Sequence, residues 1–149
     1  MTRSYLIKPD VAGCLGSNTK GDMAARPVVV SEVEYEFDDW LGDDVVSSLG
    51  VWMGTKPLMD ALISINATGI TFRHATTIKS EEFHDMNPDG LELPEFIWFD
   101  ITGRPSIDDF GHSLHDSFAI VVSERAMEVL KRFNLAHAEM SEYQPEAVS

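Results

Sequence analysis

The chain has 149 residues, 44% hydrophobic and 24% charged, with 25 acidic side chains against 11 basic ones and a formal net charge of −14. That length fits one domain, 1–149, with a real hydrophobic core and loose ends at about 1–2 and 144–149. The charge argues against nucleic acid and anionic membrane as partners, because both attract basic surfaces, and eight Phe, three Tyr and three Trp argue against disorder.

The N-terminus reads M-T-R-S-Y-L-I-K-P-D, with no apolar core or small-residue cleavage site of a secretory signal. No apolar run approaches the ~20 residues of a membrane span. The cytoplasm is the expected location. Residues 5–7 read as a first strand stopped by Pro9, and 11–26 as a polar loop rich in Gly, Ser and Asn. Cys14 lies in this loop. It is the only cysteine, so no intrachain disulfide is expected, and without a C-x-x-C partner it reads as a structural or incidental thiol.

Residues 27–37, P-V-V-V-S-E-V-E-Y-E-F, carry the strongest pattern. Successive side chains of a strand point to opposite faces. Val29, Val33, Tyr35 and Phe37 share one face, and Glu32, Glu34 and Glu36 share the other. Pro27 opens the strand, where a missing N–H is tolerable. Asp38, Asp39, Trp40, Asp43 and Asp44 follow in a turn. Crowded carboxylates beside an aromatic are a composition suited to a basic protein partner. Glu32, Glu34, Glu36, Asp38, Asp39, Trp40, Asp43 and Asp44 are therefore the candidate partner-binding residues. Core packing is the other reading of Trp40, and turn formation or helix capping that of the aspartates.

Thr55 reads as a helix N-cap, with Pro57 in the first turn. Leu58, Ala61, Leu62 and Ile65 then follow at i, i+3, i+4, i+7, which predicts an amphipathic helix over 56–65. Residues 70–73 read as a strand, 80–85 as a short helix capped by Ser80, 87–90 as a turn, and 96–102 as a strand. Residues 107–117 are polar and irregular, and 118–122 form a compact apolar strand. Ser123 caps a second amphipathic helix over 124–133, and 135–143 returns as a last strand. The two helices align without a gap, Thr55 on Ser123, Leu62 on Leu130 and Asn66 on Asn134. Two similar capped helices explain this, and a duplicated strand–helix–strand unit is the second reading.

One loop offers metal-ligand chemistry. Asp108, Asp109, His112, His115 and Asp116 place carboxylates and imidazoles close together, as Zn²⁺ and Fe²⁺ sites do. The histidines are not i, i+4 on a helix as in H-E-x-x-H, and no Cys or His pair completes a tetrahedral set. A polar surface loop is the first reading and a small metal-dependent hydrolase or ligand-binding enzyme the alternative. No G-x-S-x-G or phosphate-binding loop occurs, so neither a catalytic residue nor a cofactor is expected.

The string F-A-I-V-V-S-E-R-A-M-E-V-L-K-R-F-N-L from Phe118, followed by A-E-M from Ala138, resembles a recurrent element of immunity proteins from bacterial polymorphic toxin systems and related small families. The resemblance covers residues 118–140. P-D-V-A-G, F-D-D-W-L-G-D-D and D-D-F-G point more weakly to the same group. Such proteins are acidic, cytoplasmic, single-domain and non-enzymatic, and they block a toxin by plugging its active site. The resemblance thus implies a toxin domain as the basic partner. The fold expected from the pattern of elements is α+β, with a mixed or mostly antiparallel sheet of about five or six strands and two main helices.

Overall fold

The structure, a computed structural model, describes residues 3–22, 24–25, 29–114, 116 and 118–143. Pro27, His115 and the expected loose ends 1–2 and 144–149 lie outside the described residues. The strands are β1 (Ser4–Lys8), β2 (Gly13–Leu15), β3 (Lys20–Asp22), β4 (Val29–Glu32), β5 (Glu34–Phe37), β6 (Val45–Ser48) and β7 (Val51–Thr55). Helix α1 (Lys56–Ser64) follows, then β8 (Ile70–Arg73), β9 (Thr76–Lys79), α2 (Glu81–Met86), β10 (Phe96–Ile101), β11 (Phe110–His112), β12 (Ile120–Ser123), α3 (Glu124–Leu130) and β13 (Glu139–Glu142).

The fold is α+β, as the sequence predicts, but there is no single sheet of five or six strands. The chain forms four-stranded sheets β11-β12-β1-β13 and β6-β7-β10-β8, a three-stranded sheet β2-β5-β9 and a two-stranded sheet β3-β4. Only β5 and β9 pair in parallel between named strands. The division follows from β10, whose Phe96, Ile97, Trp98, Phe99 and Ile101 are all buried. Ile97, Phe99 and Ile101 join one core with Trp52, Phe110, Ile120, the α1 side chains Leu58 and Leu62, and the α3 side chains Ala126, Met127, Val129 and Leu130. Phe96 and Trp98 join a second core with Val46, Met53, Tyr35, Phe37 and Phe83. The strands β6 and β7 and most of β10 are therefore covered on both faces, while Thr71 and Arg73 of the edge strand β8 reach solvent. The helices and the β1 sheet cover one side, and the β5 sheet and α2 cover the other.

The caps divide. Ser80 and Ser123 each accept a bond from the N–H three residues on, Phe83 at 3.1 Å and Ala126 at 3.2 Å. Thr55 occupies the N-cap position of α1 but makes no capping bond. Its hydroxyl donates to Asp44 at 2.7 Å. The predicted polar loop 11–26 holds two short strands, β2 and β3, and Phe110 to His112 add a third in the predicted irregular stretch.

The helix alignment extends to topology. In one sheet α1 links β7 to β8, with β10 antiparallel between them; in the other α3 links β12 to β13, with β1 antiparallel between them. β6 and β11 are the outer antiparallel partners of β7 and β12. The second reading of the aligned helices, a repeated unit, thus matches the strand order. In chain order the intervening strand comes last in one unit and first in the other.

Backbone demands explain two local choices. Gly54 lies under Phe99, whose ring would come within 2.1 Å of any Cβ there. The β6–β7 hairpin turns through Leu49 and Gly50, at φ 51° and 85°. A two-residue turn with both φ positive suits Asn-Gly, whereas leucine in that region is strained by about 1–2 kcal/mol. Leu49→Asn is expected to raise stability by about 0.5–1 kcal/mol. Urea denaturation checks this, with a higher midpoint at unchanged slope as the expected result.

Candidate functional site

The acidic segment does not stand free as a ladder. β5 is the middle strand of its sheet, and the 16–19 turn folds back over it. Glu34 is buried, accepting from Asn18 N at 3.2 Å and Asn18 Nδ2 at 2.9 Å. Glu32 is exposed and sits 3.4 Å from Lys20. Glu36 is half-buried and accepts a 3.7 Å bond from the Cys14 thiol, whose pKa is raised by burial, by Glu36 and by Asp38. On the apolar parity Val33, Tyr35 and Phe37 are buried as expected, whereas Val29 is 64% exposed because β4 leaves this sheet to pair with β3.

The turn that follows is largely structural. Trp40 packs edge-on against Phe96 and donates its indole N–H to Asp43 O at 2.8 Å. Asp43 is fully buried and accepts from His137 N at 3.0 Å and His137 Nδ1 at 2.5 Å. Asp44 accepts from Thr55 Oγ1 and, at 2.8 Å, from Asn134 N. Asp39 accepts from Trp40 N and from Asn87 Nδ2 at 2.9 Å. These carboxylates join the 38–44 turn to α1, α2 and the 134–137 turn. Glu34 and Asp43, which the sequence offered as partner contacts, are buried acceptors, and Asp44 is half-buried with both oxygens bonded within the chain.

The accessible carboxylates form a different group. Asp38 and Asp39 both donate their N–H to Ala12 O, at 2.8 and 3.3 Å, which brings the end of β5 against the chain entering β2. Asp10, Val11, Ala12, Gly13, Asp38, Asp39, Leu41 and Glu82 line a groove of about 320 Å³ there. Four of these side chains are carboxylates and none is a cation. Val11 is 66% exposed and Leu41 54%. The Asp10 pKa is raised by burial and by Asp43, and His137 and the Val11 N–H partly offset this. Sequence reasoning missed Asp10 and Glu82 because they come from separate elements that only the folded chain brings beside Asp38.

Elsewhere most of the described cations are already engaged. Arg3, Lys8, Lys20, Lys56, Arg73, Arg104 and Arg125 each lie within 4.0 Å of a carboxylate. The groove has no such partner among its lining residues.

The described members of the alternative metal loop make other bonds. Asp108 accepts from Arg104 N at 2.8 Å, and Asp116 pairs with Lys8 at 3.1 Å and accepts from Phe118 N. The Asp116 pKa is lowered by the Phe118 N–H and Lys8. Burial lowers the His112 pKa, and its Nδ1 has no partner among the described residues. Asp109 is buried at the centre of a latch. Ser123 Oγ donates to it at 2.5 Å, Arg125 Nη2 at 2.7 Å and Thr68 N at 2.8 Å. Burial pushes the Asp109 pKa up, but the bonds from Arg125, Ser123 and Thr68 outweigh it and hold the carboxyl below its ordinary range. Among the described residues, no three His, Cys, Asp or Glu side chains come together as a metal site. No described helix is long and apolar enough to cross a membrane. No protein-family model matches the chain, and no curated protein is significantly similar to it.

Two stability predictions follow from these latches. Asp109→Ala removes the acceptor shared by Thr68, Ser123 and Arg125 and is expected to cost about 2–4 kcal/mol in chemical denaturation. An effect within experimental error would show the latch to be incidental. The His137 pKa is raised above 6.5 by its bond to Asp43. Its contribution is therefore fully present below pH 6.5 and is lost as pH rises through the raised value. As pH rises above 6.5 the wild type should lose stability relative to His137→Gln. Parallel profiles would remove the ionised pair from the account.

Proposed function

We propose that this protein is a non-enzymatic binding protein that neutralises a bacterial toxin domain by stoichiometric occlusion of its active site in the cytoplasm. The observation that carries the reading is the groove of Asp10, Asp38, Asp39 and Glu82, with no cation in its lining and with exposed Val11 and Leu41 beside it. A toxin cleft built for phosphates or a nucleotide is basic. Carboxylates steer such a surface in and set its register, while apolar side chains at the rim add burial once docked. The likeness of residues 118–140 to immunity proteins supports the same class. Glu36, Asp38 and Asp39 remain in the proposed interface, joined by Asp10 and Glu82. Glu34, Asp43 and Asp44 leave it, because their oxygens are occupied inside the protein.

A binding mechanism without turnover makes inhibition saturate near one to one and weaken with salt. The test takes candidate toxin domains from the genes flanking this one and uses isothermal titration at several salt concentrations; if none of them binds, the reading falls. The double substitution Asp38→Asn with Glu82→Gln should weaken binding by about tenfold or more and flatten its salt dependence. Glu128→Gln, on the exposed side of α3, should change neither. If the double variant keeps wild-type affinity and salt slope, the groove is not the interface. If the toxin is silenced at far below equimolar protein, the mechanism is catalytic.

A further inference from the structure

Tyr35 and Phe37 share the apolar face of β5, both fully buried, with ring centroids 4.6 Å apart. A phenylalanine at 35 would supply the same ring. A buried hydroxyl costs stability unless it is bonded, so the oxygen of Tyr35 has to be accounted for. It accepts from Ala12 N at 3.1 Å and donates to Ser47 O at 2.8 Å. Burial pushes the phenol pKa up, which keeps that donor proton in place. Ser47, on β6, holds the same segment. Its N–H donates to Asp10 O at 2.9 Å and its hydroxyl to Pro9 O at 3.3 Å. Asp10 also bridges Val46 of β6. The stretch 9–12 belongs to no named strand. Its path is set by Tyr35, by β6, and by Ala12 O, which accepts from Asp38 N and Asp39 N at the end of β5.

Asp10 and Ala12 line the acidic groove, and Tyr35 is not among its lining residues. We propose that Tyr35 is a positioning residue of the groove: its hydroxyl ties the 9–12 segment to β5 and β6 at once and so fixes the Asp10 carboxylate relative to Asp38 and Asp39. Like charge pushes Asp10 away from Asp43 and Asp39, and the tie works against that repulsion. Carboxylates fixed in advance lose less freedom on docking, which is how preorganisation strengthens binding. The inference rests on the proposed binding function and names a residue that sets its site from behind.

Tyr35→Phe removes the oxygen and keeps the ring. Ser123→Ala, which loses a hydroxyl of the Asp109 latch outside the groove, is the control for lost stability. Both are compared with the wild type by NMR on the full, labelled chain, under conditions where circular dichroism shows all three folded. The Asp10 carboxyl pKa is raised by burial, Asp43 and Asp39 against His137 and the Val11 N–H, and in Tyr35→Phe it should titrate closer to its ordinary value of 3.8. The Ser47 amide should exchange at least about tenfold faster than in Ser123→Ala. Affinity for a toxin domain that binds the wild type should fall about five- to tenfold in Tyr35→Phe and stay unchanged in Ser123→Ala. An unmoved Asp10 titration would overturn the proposal whatever the fate of the binding reading, because the titration needs no partner. Wild-type affinity in Tyr35→Phe would overturn it too. Free exchange of the Ala12 amide in the wild type would do so without any variant.

Discussion

The burial of one strand, β10, on both faces governs this fold. A strand such as β10, with Phe96 and Trp98 on one side and Ile97, Phe99 and Ile101 on the other, cannot lie at the surface. Every other element is placed by the need to cover it. The helices α1 and α3, backed by the β1 sheet, supply one lid, and β5 with α2 supplies the other. Burying a Leu or Phe side chain is worth about 1.5–3 kcal/mol, so leaving either face open would cost more than any surface contact could return. The acidic groove is a by-product of the second lid. It forms where the 10–13 chain, the end of β5 and the start of α2 meet.

The acidic excess divides into two populations with opposite roles. Glu34, Asp43, Asp44 and Asp109 act as acceptors for backbone N–H groups and side chains that would otherwise be unpaired in or near the interior. A buried carboxylate with several donors is a strong local tie. The exposed carboxylates are free to shape the field around the molecule. Because the described Arg and Lys side chains are largely tied to carboxylates or carbonyls of their own, that field is little diluted near the groove.

The amphipathic helices were legible because a period of 3.6 residues and a serine cap are local properties, and α1 and α3 begin where Thr55 and Ser123 predict. The alternation in 33–37 also placed Val33, Tyr35 and Phe37 inside. The same rule failed for Glu34, since alternation says which face a residue occupies and not whether another loop covers that face. The hairpin of β6 and β7 had no alternation to betray it, because V-V-S-S and V-W-M-G-T are buried on both sides. Asp10 and Glu82 are far from Asp38 in sequence, and only tertiary packing makes them neighbours.

The two similar four-stranded sheets differ in when they can be completed. All strands of the β6-β7-β10-β8 sheet lie between Val45 and Ile101, so every one of them is synthesised before the last third of the chain exists. The β11-β12-β1-β13 sheet places the N-terminal strand β1 between β12 and β13, and neither is available until synthesis is nearly over. Contacts of such long sequence separation form slowly, because loop closure must precede the pairing that rewards it. A nascent chain therefore carries Tyr5, Leu6 and Ile7 without their partners for most of translation. The second sheet, and with it the closing of the helical core, is the late step in the life of this molecule.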